Sequence, residues 1–365
     1  MSRRAPGPIL ERRSRGPLGP VDKGPVHNGP LHKGLLHIGL VLIGLVLMGL
    51  AAVASLAIGP FPVAPDQALI AVFAPDGSVA HTVVQTTRVP RTGAAIAVGA
   101  ALGVSGAILQ TITRNPLAAP GLLGVNAGAA LAVVALTVVW EGPPPLAAAA
   151  GVAVLGAAAA AMAVWLLAAR TGMAAEPTPL RLTLAGAALT LLLTALTTAL
   201  LLMDARALDE TRLWLAGSVA GRPADLVARL GIAIAVALGA ALALARVIAV
   251  LGLGREVALG LGVGTAAARA GAIAVATTLA GLAVALAGPV GFVGLAAPHM
   301  ARALAGADPG RVLVLSAPIG ATILLAADIA ARSVAAPQET PVGVATALFG
   351  VPVFIALLRR RRSWA

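Results

Sequence analysis

The sequence predicts an all-α polytopic membrane protein with about ten transmembrane helices and both termini cytoplasmic. Three observations carry that reading. Of 365 residues, 59% are apolar and 11% charged, with a mean hydropathy of +0.96; soluble domains run at roughly 25% charged and 45–50% apolar. Aromatic residues make up 2% and tyrosine is absent. A membrane β-barrel's aromatic girdles are therefore missing, whereas Ala, Leu, Val and Gly suit helices packed through small residues. Basic clusters flank the apolar region at both ends, with Arg3, Arg4, Arg12, Arg13, Arg15, Lys23 and Lys33 before it and Arg359 to Arg362 after it. Such clusters mark the cytoplasmic side, so an even number of spans is expected.

Residues 1–34 read as a basic, Pro/Gly-rich, low-complexity cytoplasmic tail. Glycine recurs there every fifth position from Gly19 to Gly49, and five helical residues turn about 500°, so these glycines form no stripe. A cleaved signal peptide is the alternative, but no A-x-A-like site follows at the usual distance. Residues 35–365 form a ten-helix transmembrane domain, with apolar runs near 35–58, 92–112, 121–140, 146–169, 180–203, 225–251, 265–287, 289–306, 312–335 and 341–358. Most reach the roughly 30 Å of a bilayer core, while the eighth and tenth are short and interrupted by Pro298 and Pro352. Alternating sides from an inside start places Asp66, Asp76, Glu141, Asp204, Asp209, Glu210, Asp225 and Glu339 outside. It places Arg114, Arg170, Arg181, Arg246, Arg255, Arg269, Arg302 and Arg311 inside. Arg88, Arg91, Arg206, Arg212, Arg222, Arg229 and Arg332 fall outside or near that face and are not explained by the orientation rule.

The chemistry of an enzyme is missing. No cysteine is present, so thiolate ligands, Cys nucleophiles and disulfides are excluded. Of the five histidines, His27, His32 and His37 belong to the glycine repeat, and His81 and His299 stand apart, so no metal set is expected. The only lysines are Lys23 and Lys33, which rules out a phosphate-binding G-x-x-x-x-G-K-[ST] loop. "GLGVG" at 260–264 reads as a cytoplasmic turn. Within the spans, Asp328 and Arg332 lie one helical turn apart and can neutralise one another; a proton relay through Asp328 would instead point to a proton-coupled secondary transporter, the alternative reading.

Six stretches together resemble one family, the FecCD permeases of ATP-driven (ABC) importers for ferric siderophores, haem and cobalamin. They are "RVPRTGAAIAVGAALGVSGAILQTITRNPLAAPGLLGVNAGA" (88–129), "RLTLAGAAL" (181–189), "LWLAGSVAG" (213–221), "LGREVALGLGV" (253–263), "GPVGFVGLAAPHMARALAGADPGR" (288–311) and "DIAARSVAAPQETPVGVATALFGVPVFIALL" (328–358). The resemblance covers the chain from about residue 35 onward and leaves out only the tail, which reads either as a binder of anionic membrane lipid or as a disordered extension.

The resemblance implies a permease subunit in a bacterial inner membrane that passes its cargo by alternating access, with no catalytic residue, metal or cofactor of its own. It implies a second permease chain, two separate ATP-binding subunits and a periplasmic or lipid-anchored substrate-binding protein, and no nucleic acid. Residue by residue, it implies that Arg88, Arg91 and Arg332 receive carboxylates of the binding protein. Gly254, Arg255, Glu256, Ala258 and Gly262 would form the loop that couples to the ATPase. Asn115 and Leu117, with Thr178, Pro179 and Leu180, would form the cytoplasmic gate.

Overall fold

A computed structural model describes residues 30–61, 63–140, 142–169, 178–334 and 339–361. Most of the tail (1–29), Glu141, Arg170 and Arg362 lie outside the described residues. Among those described, regular structure is entirely helical. The order is α1 (Pro30–Ala57), α2 (Pro65–Phe73), α3 (Val79–Val83), a π-helical turn (Val84–Arg88), α4 (Val89–Thr113), a 3-10 turn (Pro120–Leu123), α5 (Val125–Val139), α6 (Leu146–Ala169), α7 (Pro179–Met203) and α8 (Ala205–Leu215). There follow α9 (Ala224–Ala243), α10 (Ala245–Leu253), α11 (Arg255–Gly260), α12 (Thr265–Ala287), α13 (Val293–Ala305), α14 (Pro309–Val334) and α15 (Val342–Arg361).

Each expected apolar run coincides with a helix, the run 225–251 being divided at Leu244 into α9 and α10. Seven helical stretches are long and apolar enough to cross a membrane. The other three of the expected ten are shorter: α5, the Val342–Pro352 part of α15, and α13, whose 13 residues span about 20 Å against a core of roughly 30 Å. Helices α2, α3, α8 and α11 are short elements between spans that hydropathy alone does not separate from loops.

Helix α4 is the axis of the fold, buried along nearly its whole length and packed on α14, α12, α13 and α9. Small residues make this possible. A Cβ on Gly99 would overlap the Gly320 carbonyl of α14, and one on Gly106 would overlap the Gly294 carbonyl of α13. Backbones therefore meet directly, as small-residue interfaces in membranes permit. Ser105 adds a hydroxyl donor to Ala276 O of α12 at 2.7 Å. Helix α7, by contrast, is largely exposed within the chain. One of its stripes runs Ala187, Leu191, Thr194, Thr198 and Leu202, all exposed.

Candidate functional site

At one end of the bundle, where α1 finishes, α4 starts and α14 finishes, five ionisable side chains converge. Pro90 sits in the first turn of α4. A proline removes an N–H and crowds the carbonyl four residues back, and the π-turn that precedes it absorbs that mismatch. Arg88 and Arg91, three apart across this junction, are thereby aimed inward. Arg91 donates from Nε to both carboxylate oxygens of Asp328 at 3.0 Å and from Nη2 to Oδ1 at 2.9 Å. Its remaining Nη1 reaches both oxygens of Glu339, at 2.9 and 2.8 Å. Arg332 lies 3.3 Å from Asp328 Oδ2 and donates to Ser55 Oγ at 2.7 Å, and Ser55 is joined to Thr92 at 2.8 Å. Arg88 donates to the carbonyls of Leu56 at 2.6 Å and Ala57 at 2.8 Å and to that of Phe61. It thus caps the C-terminus of α1, where orphan carbonyls favour a cation.

Three arginines against two carboxylates leave the cluster at +1. Arg88, Arg91, Arg332 and Asp328 are 3%, 6%, 2% and 0% exposed. The three arginines expected to receive a partner's carboxylates are thus buried within this chain and engaged with its own groups. Asp328 and Arg332 do pair, yet Arg91 is the nearer partner of Asp328. The other arginines that the orientation rule leaves over are also tied locally. Arg206 reaches Glu210 at 3.3 Å and Thr137 O at 2.8 Å, while Arg212 lies 3.5 Å from Asp209 and Arg229 3.7 Å from Asp225. Arg222 donates to Ser218 O at 3.1 and 3.3 Å in a cleft of about 430 Å³ beside Trp214, and burial lowers its pKa. His81 is buried, 2.8 Å from Asp76 and 3.4 Å from Gln67. The Asp76 carboxyl is held below its ordinary range, first by the Ser78 backbone N–H. Among the described residues no group of three or more His, Cys, Asp or Glu could hold a metal.

The opposite end is built differently. Pro298 interrupts α13 and deprives the Gly294 carbonyl of its helical donor. Gln110 of α4 supplies one, with Nε2 3.3 Å from Gly294 O, while its Oε1 accepts from Arg302. Arg114 ends α4 with φ +51°. Asn115 then forms a tight turn, its Oδ1 accepting from Leu117 N at 2.9 Å. Thr178 caps α7, its hydroxyl accepting from Arg181 N at 3.4 Å, with Pro179 in the first turn. Further along, Gly186 of α7 lies against the Leu122 carbonyl of the 3-10 turn, while Leu117 and Leu180 are 51% and 69% exposed. Gly254, at φ +118°, turns α10 into α11, and Gly262, at φ +77°, turns α11 towards α12. Arg255 and Glu256 are exposed and Ala258 is buried. Around them Leu253, Val257, Leu259 and Leu261 face outward. Four exposed aliphatic side chains around a short polar helix form the kind of patch that marks a protein contact.

A bundle of helices long and apolar enough to cross a membrane, braced by internal ion pairs, defines a polytopic membrane protein. The chain belongs to the FecCD transport family, whose model matches residues 45–360. It is 40% identical over 287 residues to the probable siderophore transport system permease protein YfiZ of Bacillus subtilis, covering 78% of this chain and 85% of that one. It is 38% identical over 280 residues to the ferric enterobactin transport system permease protein FepD of Escherichia coli, covering 77% and 83%. Among solved structures, an inward-facing putative metal-chelate type ABC transporter matches with a TM-score of 0.77 and 29% identity, over 90% of this chain and 99% of that one.

Proposed function

We propose that this chain is the membrane-spanning permease of an ATP-driven importer whose cargo is a ferric siderophore, carried across the bacterial inner membrane. The observation that carries the reading is the agreement of relatives named for siderophore and ferric-enterobactin transport over more than three quarters of the chain. That Lys23 and Lys33 are the only lysines, so that the chain has no G-x-x-x-x-G-K-[ST] loop, supports ATP hydrolysis by separate subunits. We place the ATPase contact on the loop of Gly254, Arg255, Glu256, Ala258 and Gly262, whose aliphatic surround supports it. The hydroxyl-bearing stripe of α7 faces a second permease chain across the pathway, and Asn115, Leu117, Thr178, Pro179 and Leu180 close that pathway at the cytoplasmic end. The arginine cluster lies at the outer end, beneath the binding protein. Asp328 is enclosed by two arginines, which supports a structural brace over a proton relay.

The test is reconstitution in vesicles with cognate ATPase subunits and binding protein. ATP-dependent accumulation of a radio-iron siderophore is expected, and haem or cobalamin accumulation in its place would redirect the cargo. Uptake driven by a proton gradient without nucleotide would overturn the reading.

A further inference from the structure

The two carboxylates on Arg91 are not equivalent. Asp328 occupies Nε and Nη2 from the core, while Glu339 occupies Nη1 from the rim, where its side chain is 37% exposed. Together they saturate a planar fork whose geometry suits bidentate carboxylates. The rim pair is partly solvated, so its net strength is that of a modest ion pair and not of a buried one. When Glu339 leaves, three arginines face Asp328 alone, and the local charge rises from +1 to +2. The chain just after Glu339 is anchored at two points, Thr340 N to Ala331 O at 3.3 Å and Gly343 N to Gly217 O at 3.0 Å. Glu339 therefore links Arg91 to the first turn of α15 and, through Gly217, to the turn after α8.

We propose that Glu339 is an internal competitor: it holds the position on Arg91 that an acidic side chain of the docking protein enters, and docking exchanges one carboxylate for the other. This rests on the outer-end docking described above. The exchange accounts for a receptor arginine that is buried in the free chain. It also gives docking a route into the bundle, because the carboxylate that is displaced belongs to the residue leading into α15.

The experiment uses the full permease with its ATPase in nanodiscs and measures the Kd of the binding protein for the parent, Glu339→Gln and Glu339→Asp chains. Glu339→Gln is isosteric and leaves Arg91 on Asp328. It is expected to tighten docking about fivefold, the equivalent of a partly exposed ion pair. Glu339→Asp keeps the charge but shortens its reach, and is expected between the parent and the Gln variant. Equal Kd values for all three, or weaker docking by the Gln variant, would overturn the proposal. A separate arm tests docking itself: Ser333→Cys, exposed at the same end, is crosslinked to the binding protein. Crosslinking with equal Kd values removes only the exchange; no crosslinking removes the docking site and the exchange with it.

Discussion

Arg91 and Asp328, 237 residues apart in the chain, share three N–H···O contacts of 2.9 to 3.0 Å, whereas Arg332, one turn from Asp328 on the same helix, approaches only to 3.3 Å. The long-range pair, not the local one, holds α4 to α14 at this end.

Asp328→Asn should therefore be among the most disruptive single substitutions, because it strands two buried guanidiniums. Breaking one partner of a buried pair costs about 3–5 kcal/mol. A lower melting temperature and yield of detergent-solubilised protein are expected. Reversing Arg88 and Arg91 together to Glu should likewise reduce the amount of folded permease in the membrane, since it removes the α1 cap and crowds four carboxylates. Unchanged abundance of that double variant would contradict the brace.

Gln110→Ala removes the donor that serves the Gly294 carbonyl, at a cost of about 1–3 kcal/mol for an unsatisfied buried acceptor. Pro298→Ala restores the N–H that the carbonyl lacks. In the double variant the penalty of Gln110→Ala should shrink, and thermal unfolding of the four chains of the cycle reads that coupling.

Gly106→Ala should destabilise by about 1–3 kcal/mol through overpacking against the Gly294 carbonyl. Gly49→Ala meets nothing within 4 Å and should be neutral or slightly stabilising. Equal effects at both positions would argue against the direct backbone contact of α4 with α13.

Val257→Ser with Leu261→Ser should leave assembly of the α-helical bundle intact, since both side chains are exposed, and lower substrate-stimulated ATP hydrolysis by severalfold. A substitution at Gly254 itself would be a poorer probe of coupling. At φ +118°, with the Arg114 guanidinium packed against it, Gly254 tolerates no side chain without local strain.

Leu117→Cys and Leu180→Cys start from a cysteine-free background. Both positions are exposed within one chain, so crosslinking between two permease chains should form, and its yield should change with nucleotide. A yield indifferent to nucleotide would remove these residues from the gate.

The helical class and the position of every long span were legible in the sequence, because apolar length alone marks them. The short helices were not: α2 and α8 mix Asp, Gln, Arg and Glu with apolar residues and read as loops. Arg88, Arg91 and Arg332 were legible as unusual, since cations on the face expected to be outer break the orientation rule. Apart from Asp328 one turn from Arg332, their partners were not, because Ser55, Glu339 and the Leu56 carbonyl are brought to them only by tertiary packing. Gln110 carried no signal at all; its role follows from Pro298, 188 positions later, and no local pattern links the two.

Arg88 caps α1 from beyond two intervening helices, and Ser55 at the end of α1 meets Arg332 only 277 residues further on. During synthesis the first span therefore enters the bilayer with its final carbonyls and its Ser55 hydroxyl uncommitted, sustained by apolar length alone. Arg91 enters later, still without either acid. The charge balance is completed only when α14 and the segment leading to α15 arrive. A chain that stops short of them carries Arg91 with neither of its carboxylates, an uncompensated cation that is costly within a membrane. The brace that stiffens the finished bundle is thus closed by the segments that are made last.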